Sequence, residues 1–341
     1  MLKSCGKGWK RRKQNNHMKH PNIVFLERDT VTTGDMDLSG IEAIGTVTYC
    51  GNGRTDWKKG EFPAPLKDAE VLILNKTKIT REFLEECPAL RCICLLATGY
   101  NNISPEAVKE RDITVCNVPG YSTDAVAQLT FGLLLQLAAS LPQYETSVRE
   151  GIWCASSRYT YLSWPINELA GKTLGIVGYG SIGRKVAEIG KAFGMKILVH
   201  TRTIPVEADP SVTFGTLEEV LREADALTLH CPLTPQTQGM IGKEQLALMK
   251  PTAFLINTSR GGVVEEQPLA DALNAGRLAG AGIDVLETEP MPSSCPYRTA
   301  RNCLVTPHIA WAAYEARARL LKEVEENIRA FLAGSPRNRV L

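Results

Sequence analysis

The chain has 341 residues, with 39 Lys and Arg against 37 Asp and Glu, and 44% of its residues are hydrophobic. This length exceeds what one hydrophobic core usually serves, so we expect two domains. The apolar runs, such as Val71 to Leu74, are much shorter than the roughly 20 residues that a membrane helix needs. We therefore predict no membrane segment.

The first 20 residues carry seven Lys or Arg and no acidic residue. Such one-sided charge could form an arm that binds nucleic acid or a membrane, or it could be a disordered leader. Because the segment lacks apolar periodicity, we favour a disordered basic leader over residues 1–20. We expect neither a nucleic-acid nor a membrane partner.

Ten cysteines are scattered along the chain, and no secretory signal sequence precedes them. This pattern is typical of reduced thiols in the core of a cytoplasmic protein. Cys92 and Cys94 would face the same side of a strand, as two metal ligands could, but no second pair lies nearby. We predict core packing for these thiols and no metal site.

From residue 22 onwards, short apolar runs alternate with amphipathic stretches, a pattern typical of parallel sheets covered by helices. The first series of predicted strands is Asn22–Glu27, Thr46–Cys50, Val71–Asn75, Cys92–Ala97 and Ile113–Val118. These five strands predict one small doubly wound domain. The next segment, Ser122–Leu141, carries apolar residues at helical spacing and predicts one long helix.

A second series of predicted strands is Thr173–Gly178, Lys196–His200, Ala226–His230, Ala253–Asn257, Gly280–Val285 and Cys303–Thr306. Helical segments such as Ile182–Phe193 lie between them, and Thr216 to Glu219 is a capping box that begins another helix. This series predicts a second, larger sheet with helices on both faces. The last stretch, Ala312–Leu332, is helical with no strand after it, so we expect it to pack on the first domain.

A glycine motif lies between the first strand and the first helix of the second series. Its sequence is Gly178-Tyr179-Gly180-Ser181-Ile182-Gly183. Glycines there permit a tight turn and close approach of the backbone to a pyrophosphate, and the helix N-terminus stabilises phosphate charge. We therefore predict a dinucleotide site. An acidic residue at the end of the next strand usually binds the ribose hydroxyls of the cofactor. In this chain the residues there are His200, Thr201 and Arg202.

Three further stretches follow predicted strands of the second sheet and carry Arg260, Glu289 and His308. Ligands of doubly wound folds bind at the carboxyl ends of strands, so we expect these three side chains to converge. A guanidinium binds a carboxylate, and an imidazolium can donate a proton to a forming alkoxide. A carboxylate beside the imidazole favours its charged form. The trio therefore predicts reduction of a keto acid.

Together these motifs make the chain resemble the D-2-hydroxyacid dehydrogenase family from residue 22 to 335. The resemblance also rests on Ala97 to Asn102, Asn117 to Tyr121, Leu169 to Gly175 and Leu229 to Thr234. It implies a flavodoxin-like substrate domain of residues 21–118 and 310–341. A Rossmann dinucleotide-binding domain of residues 119–309 would be inserted, and the helix from Ser122 would contribute to a homodimer interface.

The resemblance also implies a role for each site residue. Arg260 would bind the keto acid, and Glu289 would pair with His308, which would donate the proton for reduction. The backbone amides of Thr98 and Gly99 would bind the substrate carboxylate. The residues implied in cofactor binding are Gly178, Gly180, Ser181, Ile182, Gly183, Thr201, Arg202, Cys231, Pro232, Thr237, Thr258, Asp284 and His308. Of these, Asp284 would meet the nicotinamide amide.

Within the family, Pro307 to Ala312 and Trp164 to Ile166 are most similar to glycerate dehydrogenases, that is, hydroxypyruvate or glyoxylate reductases. We expect NAD(P)H-dependent reduction of a small 2-keto acid to the D-2-hydroxy acid. Two alternatives stay open: a phosphoglycerate-type dehydrogenase, and a dinucleotide-sensing corepressor of the same fold. Thr201 aligns with an aspartate of NAD-specific relatives, and Arg202 could bind a 2′-phosphate. We therefore predict NADP as the cofactor, with NAD as the alternative.

Overall fold

The computed structural model describes residues 20–50, 57–58, 61–207 and 209–341. The predicted basic leader lies outside the described residues, except for its last residue, His20. The chain divides into two compact units. Unit 1 comprises the residues up to Tyr121 together with Tyr314–Leu341, and unit 2 comprises Ser122–Ala313.

Unit 1 is built on a five-stranded parallel sheet with the order β2-β1-β3-β4-β5. Its strands are β1 (Asn22–Phe25), β2 (Thr46–Tyr49), β3 (Val71–Leu74), β4 (Cys92–Leu95) and β5 (Thr114–Cys116). Every residue of the last three strands is buried. This burial explains why their sequences are continuous apolar runs rather than alternating patterns, since parallel sheets are covered on both faces.

Helices cover both faces of the unit 1 sheet. Its helices are α1 (Ser39–Glu42), α2 (Arg81–Glu85), α3 (Pro105–Glu110) and α10 (Tyr314–Leu332), with 3-10 turns at Arg28–Thr30 and Ala64–Lys67. Helix α10 packs against β4 and buries Leu320, Val324 and Ile328. The final residues lie along β5, where the Val340 N–H donates to the Val115 carbonyl at 2.8 Å. The free edge of the sheet is therefore paired there.

Unit 2 is built on a seven-stranded parallel sheet with the order β12-β11-β10-β9-β6-β7-β8. The strands are β6 (Thr173–Val177), β7 (Lys196–His200), β8 (Val212–Phe214), β9 (Ala226–Leu229), β10 (Phe254–Asn257), β11 (Gly280–Ile283) and β12 (Cys303–Val305). The strand order reverses at β6, which lies between β7 and β9. In open α/β sheets a ligand crevice forms at such a reversal, outside the carboxyl ends of the strands.

The helices of unit 2 are α4 (Thr123–Ala138), α5 (Leu141–Arg149), α6 (Ser181–Ala192), α7 (Leu217–Glu223), α8 (Lys243–Leu248) and α9 (Glu266–Asn274), with 3-10 turns at Gly261–Val263 and Pro296–Arg298. The capping box that begins α7 is formed as predicted, with the Thr216 hydroxyl and the Glu219 side chain bonded reciprocally to backbone N–H groups. Two parallel-sheet α/β units confirm the predicted fold class.

The long helix predicted over Ser122–Leu141 is confirmed as α4, but it was predicted three residues too long at its carboxyl end, and α5 was not predicted. Helix α4 ends at Ala138, Ser140 adopts a left-handed conformation with φ of 50°, and α5 follows with Pro142 in its first turn. Proline fits a first turn because no helical partner is needed for its missing N–H.

Among the described residues no single helix is long and apolar enough to cross a membrane, although α4 and α5 pass that test as a pair bent by 61°.

The predicted strands are the observed ones, but most were predicted one or two residues too long at their carboxyl ends. The predicted ends lie just past the assigned strands, where apolar residues stay buried and still bond to the neighbouring strand's end, as Leu96 does to the Leu74 carbonyl at 2.8 Å and Val118 does to the Ala97 carbonyl at 3.0 Å. Strand β8 was not predicted at all. It has three residues and lies at the sheet edge, where a short strand carries little apolar signal.

Candidate active site

The predicted glycine motif forms the turn between β6 and α6. Gly178 has a φ of 94°, and a Cβ there would lie 2.7 Å from the His230 carbonyl oxygen. A Cβ at Gly183 would overlap the Gly178 carbonyl oxygen, so both positions require glycine. A Cβ at Gly180, in contrast, would meet open space. Gly180 caps α6, so its turn and the N–H groups from Ser181 and Ile182 onwards suit a pyrophosphate.

The segment after β7 carries the residues that are implied in cofactor choice. His200 ends the strand, and its Nδ1 lies 3.2 Å from the Gly215 carbonyl oxygen. Thr201 donates from its hydroxyl to the Thr203 carbonyl at 3.4 Å. The side chain of Arg202 is exposed and has no carboxylate partner among the described residues. An unpaired guanidinium at this position is available to an anion.

The loop after β9 lies beside the glycine turn, because the His230 N–H donates to the Val177 carbonyl at 2.7 Å. Cys231 is buried, whereas Pro232 is exposed. The Thr237 hydroxyl donates to the Pro232 carbonyl at 2.7 Å and so closes the turn. These three predicted cofactor-binding residues therefore lie in one loop at the carboxyl edge of the sheet.

Arg260 lies at the carboxyl end of β10. The Asn257 side chain holds this loop, donating to the Arg260 carbonyl at 3.0 Å and accepting from the Ser259 N–H at 3.0 Å. Thr258 is buried, with its hydroxyl 3.0 Å from that of Thr130 on α4. The Arg260 guanidinium donates to the Ser259 carbonyl at 2.7 Å and has no carboxylate partner among the described residues.

Glu289 and His308 contact each other directly, with Glu289 Oε2 at 2.7 Å from His308 Nδ1. Glu289 Oε1 accepts a hydrogen bond from the Leu286 N–H at 3.0 Å, so both carboxylate oxygens are oriented. A Cβ at Gly261 would overlap the Leu286 backbone. The loop that carries Arg260 therefore packs on the segment that orients Glu289, which in turn fixes the imidazole.

Asp284 is buried at the end of β11 and holds the loop that carries His308. Its carboxylate accepts hydrogen bonds from the Thr306 hydroxyl at 2.6 Å and from the N–H groups of Ile309 and Ala310, each at 2.9 Å. Burial raises the pKa of this carboxyl, while the hydrogen bonds act in the opposite direction. His308 has a φ of 55°, and its N–H donates to the Asp284 carbonyl at 2.9 Å.

The structure places Thr98 and Gly99 in unit 1, directly after β4. The Thr98 hydroxyl donates to the Val118 carbonyl at 2.8 Å, and the Asn117 amide donates to the Thr98 carbonyl at 2.7 Å. Within the described part of the chain, the backbone N–H groups of Thr98 and Gly99 donate to no protein acceptor. Two neighbouring unpaired N–H groups suit an anion.

The glycine turn, the unpaired Arg260 and the Glu289–His308 pair are the parts that a dinucleotide-dependent reductase requires. A family model described as "D-isomer specific 2-hydroxyacid dehydrogenase, NAD binding domain" matches residues 131–310. The chain belongs to this family. As a D-2-hydroxyacid dehydrogenase it is an oxidoreductase that uses a nicotinamide dinucleotide, so the predicted family and enzyme class are confirmed.

The sequence of this dehydrogenase is similar over most of its length to that of several reductases and dehydrogenases. A hydroxypyruvate reductase from Blautia hydrogenotrophica is 39% identical over 93% of this chain and 98% of its own. A glycerate dehydrogenase from Methylorubrum extorquens is 40% identical over 83% of this chain and 88% of its own. The structure of an NADPH-dependent glyoxylate/hydroxypyruvate reductase from Sinorhizobium meliloti, in complex with NADP and malonate, is 28% identical with a TM-score of 0.79 and covers 94% of this chain and 97% of its own.

Several residues that shape this site had no role in the sequence prediction. Asn257 and Leu286 orient Arg260 and Glu289, and Thr306 binds Asp284. The role of Asn257 could have been predicted from the sequence, because an Asn two residues before a Ser at a strand end often forms such a side-chain turn. The role of Leu286 could not have been predicted, since it acts through its backbone N–H.

Proposed function

We propose that this dehydrogenase reduces a small 2-keto acid, either hydroxypyruvate to the D-2-hydroxy acid D-glycerate or glyoxylate to the achiral glycolate, with NADPH as the preferred donor. The observation that carries the proposal is the His308–Glu289 pair at 2.7 Å, in a loop network that also positions the unpaired Arg260. The names of the relatives support these substrates. A nicotinamide dinucleotide bound to unit 2 would supply the hydride for the carbonyl carbon.

The chain's own residues supply the remaining steps. Arg260 binds the 2-keto acid by charge-assisted hydrogen bonds and polarises the carbonyl, and the N–H groups of Thr98 and Gly99 bind the carboxylate. Glu289 holds Nδ1 of His308, so the opposite ring nitrogen, Nε2, donates the proton to the carbonyl oxygen. The carbonyl double bond becomes a C–H bond and an O–H bond, and His308 is left neutral.

The residues of unit 2 that would bind the dinucleotide provide the space and the hydrogen-bonding groups that it needs. Gly178 and Gly183 allow the tight turn, and the space beside Gly180 at the N-terminus of α6 is open to a pyrophosphate, with Ser181 and Ile182 in the first turn of the helix. The remaining proposed contacts are Thr201, Arg202, Cys231, Pro232, Thr237, Thr258, Asp284 and His308. Asp284 Oδ2 accepts one hydrogen bond, from Ala310, and a carboxylate oxygen can accept a second from a nicotinamide amide.

The preference for NADPH rests on Arg202. A charge-assisted bond from this unpaired guanidinium to the 2′-phosphate would contribute about 1.5 to 3 kcal/mol. We expect wild-type kcat/KM to favour NADPH and Arg202→Ala to lose about 10-fold to 100-fold of that preference. Arg222→Ala, which removes an exposed arginine paired with Glu218 on α7, is the matched control. A wild type that favours NADH, or a preference that Arg202→Ala leaves unchanged, contradicts the assignment.

The substrate is tested with a panel of 2-keto acids: hydroxypyruvate, glyoxylate, pyruvate, phenylpyruvate and phosphohydroxypyruvate. We expect the highest kcat/KM for hydroxypyruvate or glyoxylate. Chiral chromatography of the hydroxypyruvate product should show D-glycerate. A clear preference for phosphohydroxypyruvate would instead identify a phosphoglycerate-type dehydrogenase. Binding of dinucleotide with no turnover of any substrate in the panel would favour a dinucleotide sensor.

We also propose that the dehydrogenase is a cytoplasmic homodimer. The nine described cysteines are all free thiols, as a reducing compartment requires. Helix α5 and the segment that follows it expose several large apolar side chains. These are Leu141, Val148, Ile152, Trp153, Leu162 and Ile166, with exposed fractions from 40% to 78%. Several exposed large apolar side chains in one segment suit an interface, and a second copy of the chain is the proposed partner.

A further inference from the structure

Glu27 is a buried carboxylate of unit 1 that has no role in the mechanism described so far. It lies two residues after β1 and has no exposed surface. Its Oε2 accepts hydrogen bonds from the N–H groups of Asn75 and Lys76, and its Oε1 accepts from the N–H and the hydroxyl of Thr77, each at 2.8 Å. A buried carboxylate is costly unless hydrogen bonds compensate it, and here they all come from one three-residue segment.

This segment, residues 75–77, follows β3 and lies at the same edge of the sheet as the loop that follows β4, because β3 and β4 are parallel neighbours. The Asn102 side chain connects the two. Its Nδ2 donates to the carbonyl of Asn75 at 3.3 Å and to the carbonyl of Thr77 at 2.9 Å. Asn75 and Thr77 therefore bind Glu27 through their N–H groups and Asn102 through their carbonyl groups.

The loop between Thr98 and Asn102 is anchored at both ends. At its start, Asn117 and Val118 hold the carbonyl and the hydroxyl of Thr98. At its end, Asn102 is held by the segment that Glu27 orders, and the Ile79 N–H also donates to the Asn102 carbonyl at 2.8 Å. Gly99 lies between these anchors, so the direction of its N–H group depends on both of them.

We propose that Glu27 is a positioning residue for 2-keto acid binding. It orders residues 75–77, and through them Asn102, so that the N–H groups of Thr98 and Gly99 keep the orientation that binds a carboxylate. The inference rests on the proposed function, in which these N–H groups bind the substrate. If Glu27 only stabilised the fold, its removal would lower stability and leave substrate affinity unchanged.

The test compares Glu27→Gln and Asn102→Ala with the wild type. A glutamine replaces one acceptor oxygen with an NH2 group, which faces N–H donors and breaks at least one of the four hydrogen bonds. We expect KM for hydroxypyruvate to rise about 10-fold in both variants while kcat changes by less than about 3-fold, the pattern of lost uniform binding. The Kd for NADPH should stay unchanged, because the cofactor residues belong to unit 2.

Three further variants separate positioning from stability. Glu325→Gln removes another largely buried carboxylate of unit 1, paired with Lys322 and Arg329 on α10, and should lower Tm without raising KM. Glu27→Asp keeps the charge and should restore part of the lost affinity. The double variant Glu27→Gln with Asn102→Ala should have the KM of the weaker-binding single variant, because coupled residues are not additive.

An unchanged KM in folded Glu27→Gln and Asn102→Ala would overturn the inference, as would an equal rise in Glu325→Gln or additive effects in the double variant. If Glu27→Gln does not fold, an unchanged KM in Asn102→Ala is sufficient to reject it. A wild type that turns over no 2-keto acid would instead refute the proposed function, and that result is visible before any variant is compared.

Discussion

His308 is the residue whose loss should affect the chemistry most directly. The other side chains bind, orient or polarise, whereas His308 is the proposed proton donor. We expect His308→Gln to reduce kcat on the order of 100-fold or more, because general acid catalysis contributes that much. Steady-state kinetics, together with an unchanged Kd for NADPH, would measure this. Near wild-type turnover in a folded variant would contradict the role of the imidazole.

His230 should make the stability of the protein depend on pH. Both of its ring nitrogens are buried without a hydrogen-bond partner among the described residues, and burial lowers its pKa to about 3. Between that value and the ordinary pKa of about 6.5, the unfolded chain binds a proton that the folded chain does not. The contribution of His230 is therefore complete above pH 6.5 and is lost as the pH falls.

Urea unfolding at several pH values tests this expectation. Below pH 6, the free energy of unfolding of the wild type should fall by up to about 1.4 kcal/mol per pH unit because of His230. His230→Gln, which does not titrate, should lack this part of the slope. Equal slopes in the two proteins would show that His230 binds protons in the folded chain as it does in the unfolded chain.

The contact between Glu289 and His308 agrees with the expectation that residues after neighbouring strands of one sheet converge. The roles of the site residues stay predictions. Glu27 was not foreseeable, because its partners lie 48 to 50 residues away and three of its four hydrogen bonds come from backbone N–H groups. No residue type marks a backbone donor, so such contacts require the folded structure.

At the scale of elements, the loop between β10 and α9 depends on the absence of a side chain at Gly261. A Cβ there would overlap the Leu286 backbone, whereas a Cβ at Gly132 on α4 would meet open space. We expect Gly261→Ala to displace the loop of Arg260 and lower kcat/KM about 10-fold or more. Gly132→Ala, the matched control, should keep activity and raise Tm slightly. Equal activity in both variants would show that the loop tolerates the displacement.

The elements themselves were predictable because hydrophobic runs and caps are local signals. Helix α4 was predicted three residues too long because apolar residues continue to Leu141, and the short helix α5 that begins there was not predicted. Strand β8 was overlooked for the opposite reason, since its pairing with β7 comes from tertiary structure rather than from its own three residues.

At the scale of the whole molecule, the exposed apolar side chains around α5 predict the oligomeric state. Light scattering should give about twice the chain mass of 37.3 kDa. Leu162→Asp, at a side chain that is 78% exposed, should shift the protein towards the monomer, because a charge would be buried on association. Val206→Asp, at a fully exposed position on the segment after β7, should leave the dimer intact. A monomeric wild type would contradict the proposal.

The division of the chain also has a consequence for its synthesis. Unit 2 is continuous, whereas the sheet of unit 1 needs α10, which leaves the ribosome about 200 residues after β5. At a synthesis rate of roughly 5 to 20 residues per second, about 10 to 40 seconds pass between the synthesis of β5 and that of the helix that packs on the sheet. The second unit can complete its fold during that interval. A chain that ends at Ala313 and has been released from the ribosome should therefore contain a protease-resistant unit 2 and an N-terminal sheet that chaperones still recognise.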